Sequence, residues 1–164
     1  MSQIKAKSDT SSTRRFDSAE QEAYLAMWRT YDRLQALEED LFKPWGVTAQ
    51  QYNLLRLLKA SYPEAVPTLS VVKRLISRAP DVTRMLDRLE AAGWITRARS
   101  EADRRAVLIA ISDAGLQLLD DMAELLRDCH EKQLGHLTAG ELKSLTALLK
   151  AARAPHEPDD SPWN

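Results

Sequence analysis

The stretch that most constrains this chain is residues 68–111, TLSVVKRLISRAPDVTRMLDRLEAAGWITRARSEADRRAVLIAI. Two short helical patterns come first, Gly93 stops the second, and two β-compatible runs follow around a charged turn. Nine of these residues are basic (Lys73, Arg74, Arg78, Arg84, Arg88, Arg97, Arg99, Arg104, Arg105), against five acids, in a 164-residue chain whose formal net charge is -1. The overall balance does not point to a polyanion, but its segregation onto one stretch does. The pattern implies a helix-turn-helix followed by a basic hairpin, a winged helix suited to gripping duplex DNA.

The phase of the second helix sharpens this. Pro80 suits a first helical position, where its missing N–H costs nothing, and Gly93 suits the residue just past the end. At about 100° per residue, Val82, Met85, Leu86 and Leu89 fall on one stripe, with Arg84 opposite it, Thr83 on the outer half and Arg88 on a flank. Such a helix can enter a major groove, where an arginine can grip guanine O6 and N7 and a threonine can touch a phosphate or a thymine methyl. Taken alone, Arg84 and Arg88 fit a solvated face, partly paired with Asp81 and Asp87, somewhat better than a DNA contact. The hairpin alters the balance. Trp94–Arg99 and Arg105–Ile111 read as strands around the polar turn 100–104, and Arg97, Arg99, Arg104 and Arg105 lie toward the free end, a wing that suits a narrow minor groove. Arg78, in the turn between the two helices, joins the candidate DNA-facing set. Asp103 is better placed to orient a neighbouring arginine than to meet DNA.

On either side lie long helical patterns. Residues 1–16 are polar and read as a disordered arm. Ser18 can cap a helix along which Tyr24, Met27, Trp28, Tyr31, Leu34, Leu37, Leu41 and Phe42 recur for about six turns, ended by Pro44. That length exceeds what a small core needs, so part of the stripe is expected to meet a partner chain. Thr48 with Gln51 forms a capping box for a second helix, carrying Tyr52, Leu54, Leu55, Leu57 and Leu58. The connection 63–67 leaves room for a brief extended piece, and Thr68 is read as the cap of a helix of two to three turns. Ser112-Asp113 caps a long helix through Leu116, Leu118, Leu119, Met122, Leu125, Leu126 and Cys129 toward Leu134. Thr138 and Glu141 make a second capping box before Leu142, Leu145, Leu148 and Leu149. Residues 154–164 hold three prolines and three acids and read as disordered.

Composition narrows the function classes. Charged residues at 29% and hydrophobic ones at 44% are those of a soluble globular domain. The single cysteine excludes an intramolecular disulfide framework and fits a reducing compartment. No run is apolar enough for a membrane span, and the first residues lack a signal peptide's apolar run, so a cytoplasmic protein is expected. His130 and Cys129 diverge by about 100° on a helix and do not converge on one ion with His136. No HExxH, phosphate loop, dinucleotide fingerprint or nucleophile elbow is present. Neither catalysis nor a cofactor or metal is implied.

The element order and residues 41–115 resemble the multiple-antibiotic-resistance regulator (MarR) family of winged-helix transcription regulators. The resemblance rests on Leu41…Trp45-Gly46-Val47-Thr48, on Val82-Thr83-Arg84-Met85-Leu86-Asp87-Arg88-Leu89-Glu90…Gly93-Trp94-Ile95, and on Asp103-Arg104-Arg105…Ile111-Ser112…Gly115, and it extends over nearly the whole chain. It implies a mainly α fold with a small β-hairpin, one domain over 17–153. Within this, a winged helix-turn-helix over about 46–111 is flanked by dimerisation helices 18–42 and 112–153. It further implies a homodimeric repressor on a near-palindromic operator with half-sites about 34 Å apart. The recognition contacts carry over to Thr83, Arg84 and Arg88, and the wing arginine to Arg104 or Arg105. Many members of the family are released by small phenolic or aromatic ligands held between the dimer and DNA-binding parts. Here Trp28, Tyr31, Trp45 and Tyr52, with Arg56 for an anion, are the candidates, although an aromatic stripe at helical spacing is core or dimer packing more often than a site. Two departures stand out. The family's redox branch has a reactive cysteine early in the first long helix, where this chain has none; Cys129, on a late apolar stripe, suits a small hydrophobe. The first turn of the helix before the turn lacks the Glu common there. A winged helix used only as a protein-interaction module is the competing reading, and the acids Asp113, Asp120, Asp121, Glu124 and Asp128 would suit it.

Overall fold

The computed structural model describes residues 16–76, 81–103 and 106–163. Its element order is α1 (Ala19–Phe42), a 3-10 turn (Lys43–Trp45), α2 (Ala49–Lys59), β1 (Val66–Pro67), α3 (Thr68–Val72), α4 (Val82–Ala91), β2 (Ile95–Arg99), β3 (Val107–Ile111), α5 (Asp113–Leu134), α6 (Ala139–Arg153) and a closing 3-10 turn (Ala154–His156). The protein is mainly helical with a small antiparallel sheet ordered β1-β3-β2. The short extended piece anticipated in 63–67 is β1, which pairs Val66 with Ile109.

The chain divides into two compact units, Met1–Gln35 and Ala36–Asn164, a division that falls inside α1. In the first, the described residues are mostly exposed, and Tyr24 and Trp28 lie one turn apart with ring centroids at 6.3 Å. The second holds the core. Phe42, Leu54, Leu55, Leu58, Val71, Met85, Leu86, Leu89, Ile95, Ile109, Ile111, Leu118, Leu119, Met122 and Leu126 form one buried cluster drawn from the last residue of α1, from α2–α5 and from the sheet.

Local signals explain most element ends. Thr48 and Gln51 form a reciprocal capping box at α2, and Thr138 with Glu141 does the same at α6, each satisfying two orphan amides. The carboxylate of Glu141 is held below its ordinary pKa first by the Thr138 amide and then by the Thr138 hydroxyl. Gly46 (φ 66°) follows the turn containing Pro44, and Gly93 (φ 75°) follows α4; both occupy the left-handed region that side chains disfavour.

The readings of α3 and of the start of α4 need correction. Thr68 does not cap α3: its hydroxyl donates to the Val107 carbonyl at 2.9 Å, tying α3 to the hairpin. The helix is also shorter than expected, five residues. α4 begins at Val82, with the Asp81 carboxylate as cap, accepting from the Arg84 amide at 2.9 Å. The role given to Pro80 falls outside the described residues. Along residues 154–163, Ser161 Oγ donates to Glu157, Arg153 pairs with Glu157 at 3.0 Å, and Asp160 meets Lys73 at 3.1 Å.

Candidate nucleic-acid interface

α4 is amphipathic as its phase required. Met85, Leu86 and Leu89 are buried, Val82 is half-buried, and Thr83, Arg84 and Arg88 are exposed. Among the described residues the Arg84 and Arg88 side chains engage no acid, so two guanidinium groups stand free on the outer surface of this helix. Its far end is anchored. Ser112 Oγ donates to the Gly93 carbonyl at 2.6 Å and accepts from the Gly115 amide at 3.1 Å, while the Ser112 amide donates to Trp94 O at 3.0 Å. One serine thus caps α5 and closes the α4–β2 corner.

The hairpin pairs Ile95 with Ile111, Arg97 with Ile109 and Arg99 with Val107. Side chains alternate across a strand, so Ile95, Arg97 and Arg99 share a face with the buried Ile109 and Ile111. Arg99, near the tip, is exposed and without an acid among the described residues. Arg97 is instead turned onto α4, where it meets Asp87 at 2.8 Å and Glu90 at 2.8 Å through Nε, with a second close contact through Nη2. These hydrogen bonds, that to Glu90 first and that to Asp87 next, hold its guanidinium above its ordinary pKa. In the turn, the Ser100 amide donates to Ala106 O and the Ala106 amide to Asp103 O. Arg78, Arg104 and Arg105 lie outside the described residues.

A separate cavity of about 360 Å³ opens between α2 and α5. Tyr52, Arg56, Lys59, Arg127 and His130 line it together with Leu119 and Leu126. Lys59 crosses its wall to Asp120 at 2.5 Å. Tyr52 stacks obliquely on Phe42, ring centroids 5.4 Å apart. Burial raises its phenol pKa, Arg56 and Lys59 lower it, and Asp120 raises it. Of the ligand-site candidates, Tyr52 and Arg56 are brought together here. Trp45 is half-buried against the core, and Trp28 and Tyr31 are exposed on α1 within the first unit. Sequence reasoning missed Lys59, Arg127 and His130, because nothing local shows that α5 runs beside α2. Cys129 is buried, and burial first, then Glu38, pushes its thiol pKa up, with Lys132 opposing. Buried apolar surroundings of this kind make a thiol unreactive. No helix among the described residues is long and apolar enough to cross a membrane.

A helix with an outward basic face, packed against a three-stranded sheet whose β2 and β3 form a hairpin, has the architecture of a winged helix. Comparison with known proteins agrees. The model of the MarR family matches residues 47–107. The multiple antibiotic resistance protein MarR of Escherichia coli is 30% identical over 115 residues, which is 70% of this chain and 78% of that one. A mutant of that protein solved with operator DNA superposes with TM-score 0.72 at 26% identity, covering 80% of this chain and 93% of that one. A MarR transcription factor from Planctomyces limnophilus is 51% identical, with TM-score 0.66, over 84% of this chain and 99% of that one. Bordetella bronchiseptica BpsR, whose DNA binding is regulated by 6-hydroxynicotinic acid, is 25% identical with TM-score 0.69, over 80% and 98%. The chain belongs to the MarR family: it is a transcription regulator that binds DNA, and its relatives are regulators rather than enzymes.

Proposed function

We propose that the chain is a homodimeric repressor whose two winged helices, each over about residues 46–111, read successive major grooves of a near-palindromic operator. Helices 18–42 and 112–153 would supply the dimer. The observation that carries the DNA contacts is the exposure of Thr83, Arg84 and Arg88 on α4, away from its buried stripe. Arg99 extends the basic surface along the hairpin, and Arg78, Arg104 and Arg105 flank it in the sequence. The exposed apolar side chains of Tyr24, Met27, Trp28 and Tyr31 on α1, and of Leu145, Leu148 and Leu149 on α6, support a second copy as partner.

Release would come from a small aromatic or phenolic acid. The cavity between α2 and α5 supports this: Tyr52 offers an aromatic surface, and Arg56, Arg127 and His130 favour an anion. α5 follows directly from the hairpin through Ser112, so a ligand wedged beside it acts on the element that carries the wing.

Fluorescence anisotropy with the DNA upstream of the chain's own gene tests the proposal. Affinity falls steeply with salt as phosphate contacts release counterions. Arg84→Ala loses about 1–3 kcal/mol of discrimination between operator and random duplex, whereas Arg105→Ala weakens both more evenly. If both variants bind like the parent, the contact assignment is wrong. A thermal-shift screen of aromatic acids, with and without operator, tests the effector: the expected ligand stabilises the free dimer and lowers operator affinity, and Arg56→Ala abolishes both effects.

A further inference from the structure

We propose that Arg97 is a positioning residue, which locks the wing strand to the recognition helix and so fixes how that helix is presented to DNA without itself meeting a phosphate. This rests on the assignment of α4 as the base-reading helix. The strand places Arg97 on the core side of β2, between the buried Ile95 and the exposed Arg99, and opposite the buried Ile109. Its side chain is 26% exposed. Asp87 and Glu90, three residues apart on α4, present carboxylates on neighbouring positions of one helix face. One guanidinium engages both, with Nη2 on Asp87 Oδ1 at 2.8 Å and Nε donating to Glu90 Oε2 at 2.8 Å. A rigid planar fork suits two carboxylates in a way that a lysine ammonium does not.

Two consequences separate Arg97 from the other arginines of the interface. Its positive charge is outnumbered by the two carboxylates around it, so the trio is a poor attractor for phosphate. Arg84, Arg88 and Arg99 have no such acids against them among the described residues. Asp87 also lies on the helical turn between Thr83-Arg84 and Arg88, so the latch holds the segment whose side chains would face the bases. Recognition geometry degrades once the supporting residues let a contact drift by about half an ångström.

The test measures binding of the full-length protein to operator and to random duplex across a salt series. Arg97→Ala is expected to shrink the operator-to-random ratio about tenfold or more, the scale of losing a base contact. The salt slope on random duplex should stay at the parent value. The variant Asp87→Asn/Glu90→Gln is expected to shrink the ratio likewise. Removing two negative charges would, by electrostatics alone, tighten binding to both duplexes and leave the ratio intact. Arg97→Lys should restore the charge but only part of the ratio. The proposal is overturned if Arg97→Ala lowers the salt slope by about one per protomer while keeping the ratio, since that marks a phosphate contact. It is equally overturned if the Asp87→Asn/Glu90→Gln variant keeps the ratio. That variant also carries the test alone should Arg97→Ala fail to fold. If the parent shows no preference for operator while Arg84→Ala binds as the parent does, the base-reading role of α4 fails, and this inference with it.

Discussion

α4 and α1 carry apolar stripes of similar kind and dispose of them in opposite ways. On α4, Met85, Leu86 and Leu89 are covered by the chain itself, and Leu89 is 0% exposed. On α1, Tyr24, Trp28 and Tyr31 remain 61%, 62% and 65% exposed, and α6 leaves Leu148 at 69%. The winged helix is closed by contacts within one chain, because a helix, a hairpin and the start of α5 come together around a shared core. The outer helices present apolar area that one copy does not cover, and removing such area from water drives association. Under the proposed dimer, stability is local in one region and dependent on protein concentration in the other.

The largest effect that would break this contrast lies in the core. Leu89→Ala should cost about 2–5 kcal/mol in urea or thermal unfolding, since it removes a fully enclosed side chain. A loss below about 1 kcal/mol would mean that the winged helix does not depend on its own core. Gly115→Ala comes next. An added Cβ would lie 2.3 Å from the Trp94 carbonyl oxygen and 2.8 Å from Ile111 Cγ1, so backbone must move, at about 1–3 kcal/mol by the same unfolding measurement. On the outer helices, Trp28→Asp/Leu148→Asp should weaken self-association at least tenfold, about 1.4 kcal/mol, by sedimentation velocity, while helix content by circular dichroism persists. Unchanged association would show that these faces are not the dimer surface. The smallest effect belongs to the tail. Asp160→Asn should shift stability by under about 0.5 kcal/mol, because its pair with Lys73 is 67% and 74% exposed.

Legibility followed the range of the interaction. The caps at Thr48 and Thr138, the stop at Gly93 and the buried stripe of α4 were readable because each involves residues within one or two helical turns. The sequence groups Arg97 with the wing arginines, and the structure instead places it on Asp87 and Glu90. The signal was available in part: Arg97 is in phase with Ile95, so an inward Ile95 implies an inward Arg97. What could not be read was that α4 lies under that face. The cavity is a longer-range case, since Tyr52 and Arg56 come from α2 while Arg127 and His130 come from α5. Thr68 was misread because a threonine before a helix signals a cap locally, whereas its hydroxyl is taken by Val107, far along the chain.

By itself the sequence determined the order of the elements, the basic recognition helix and hairpin, and membership in a family of DNA-binding regulators. The elements and the basic surface follow from periodicity, capping and charge segregation, which act over a few residues, whereas the family follows from the resemblance of the motifs between residues 41 and 115. Only the tertiary structure decided which arginines remain free and which is held, and which side chains line a common cavity. Pairing a guanidinium with a carboxylate depends on distances of about 3 Å between separate elements, and those distances exist only once the strands and helices have packed.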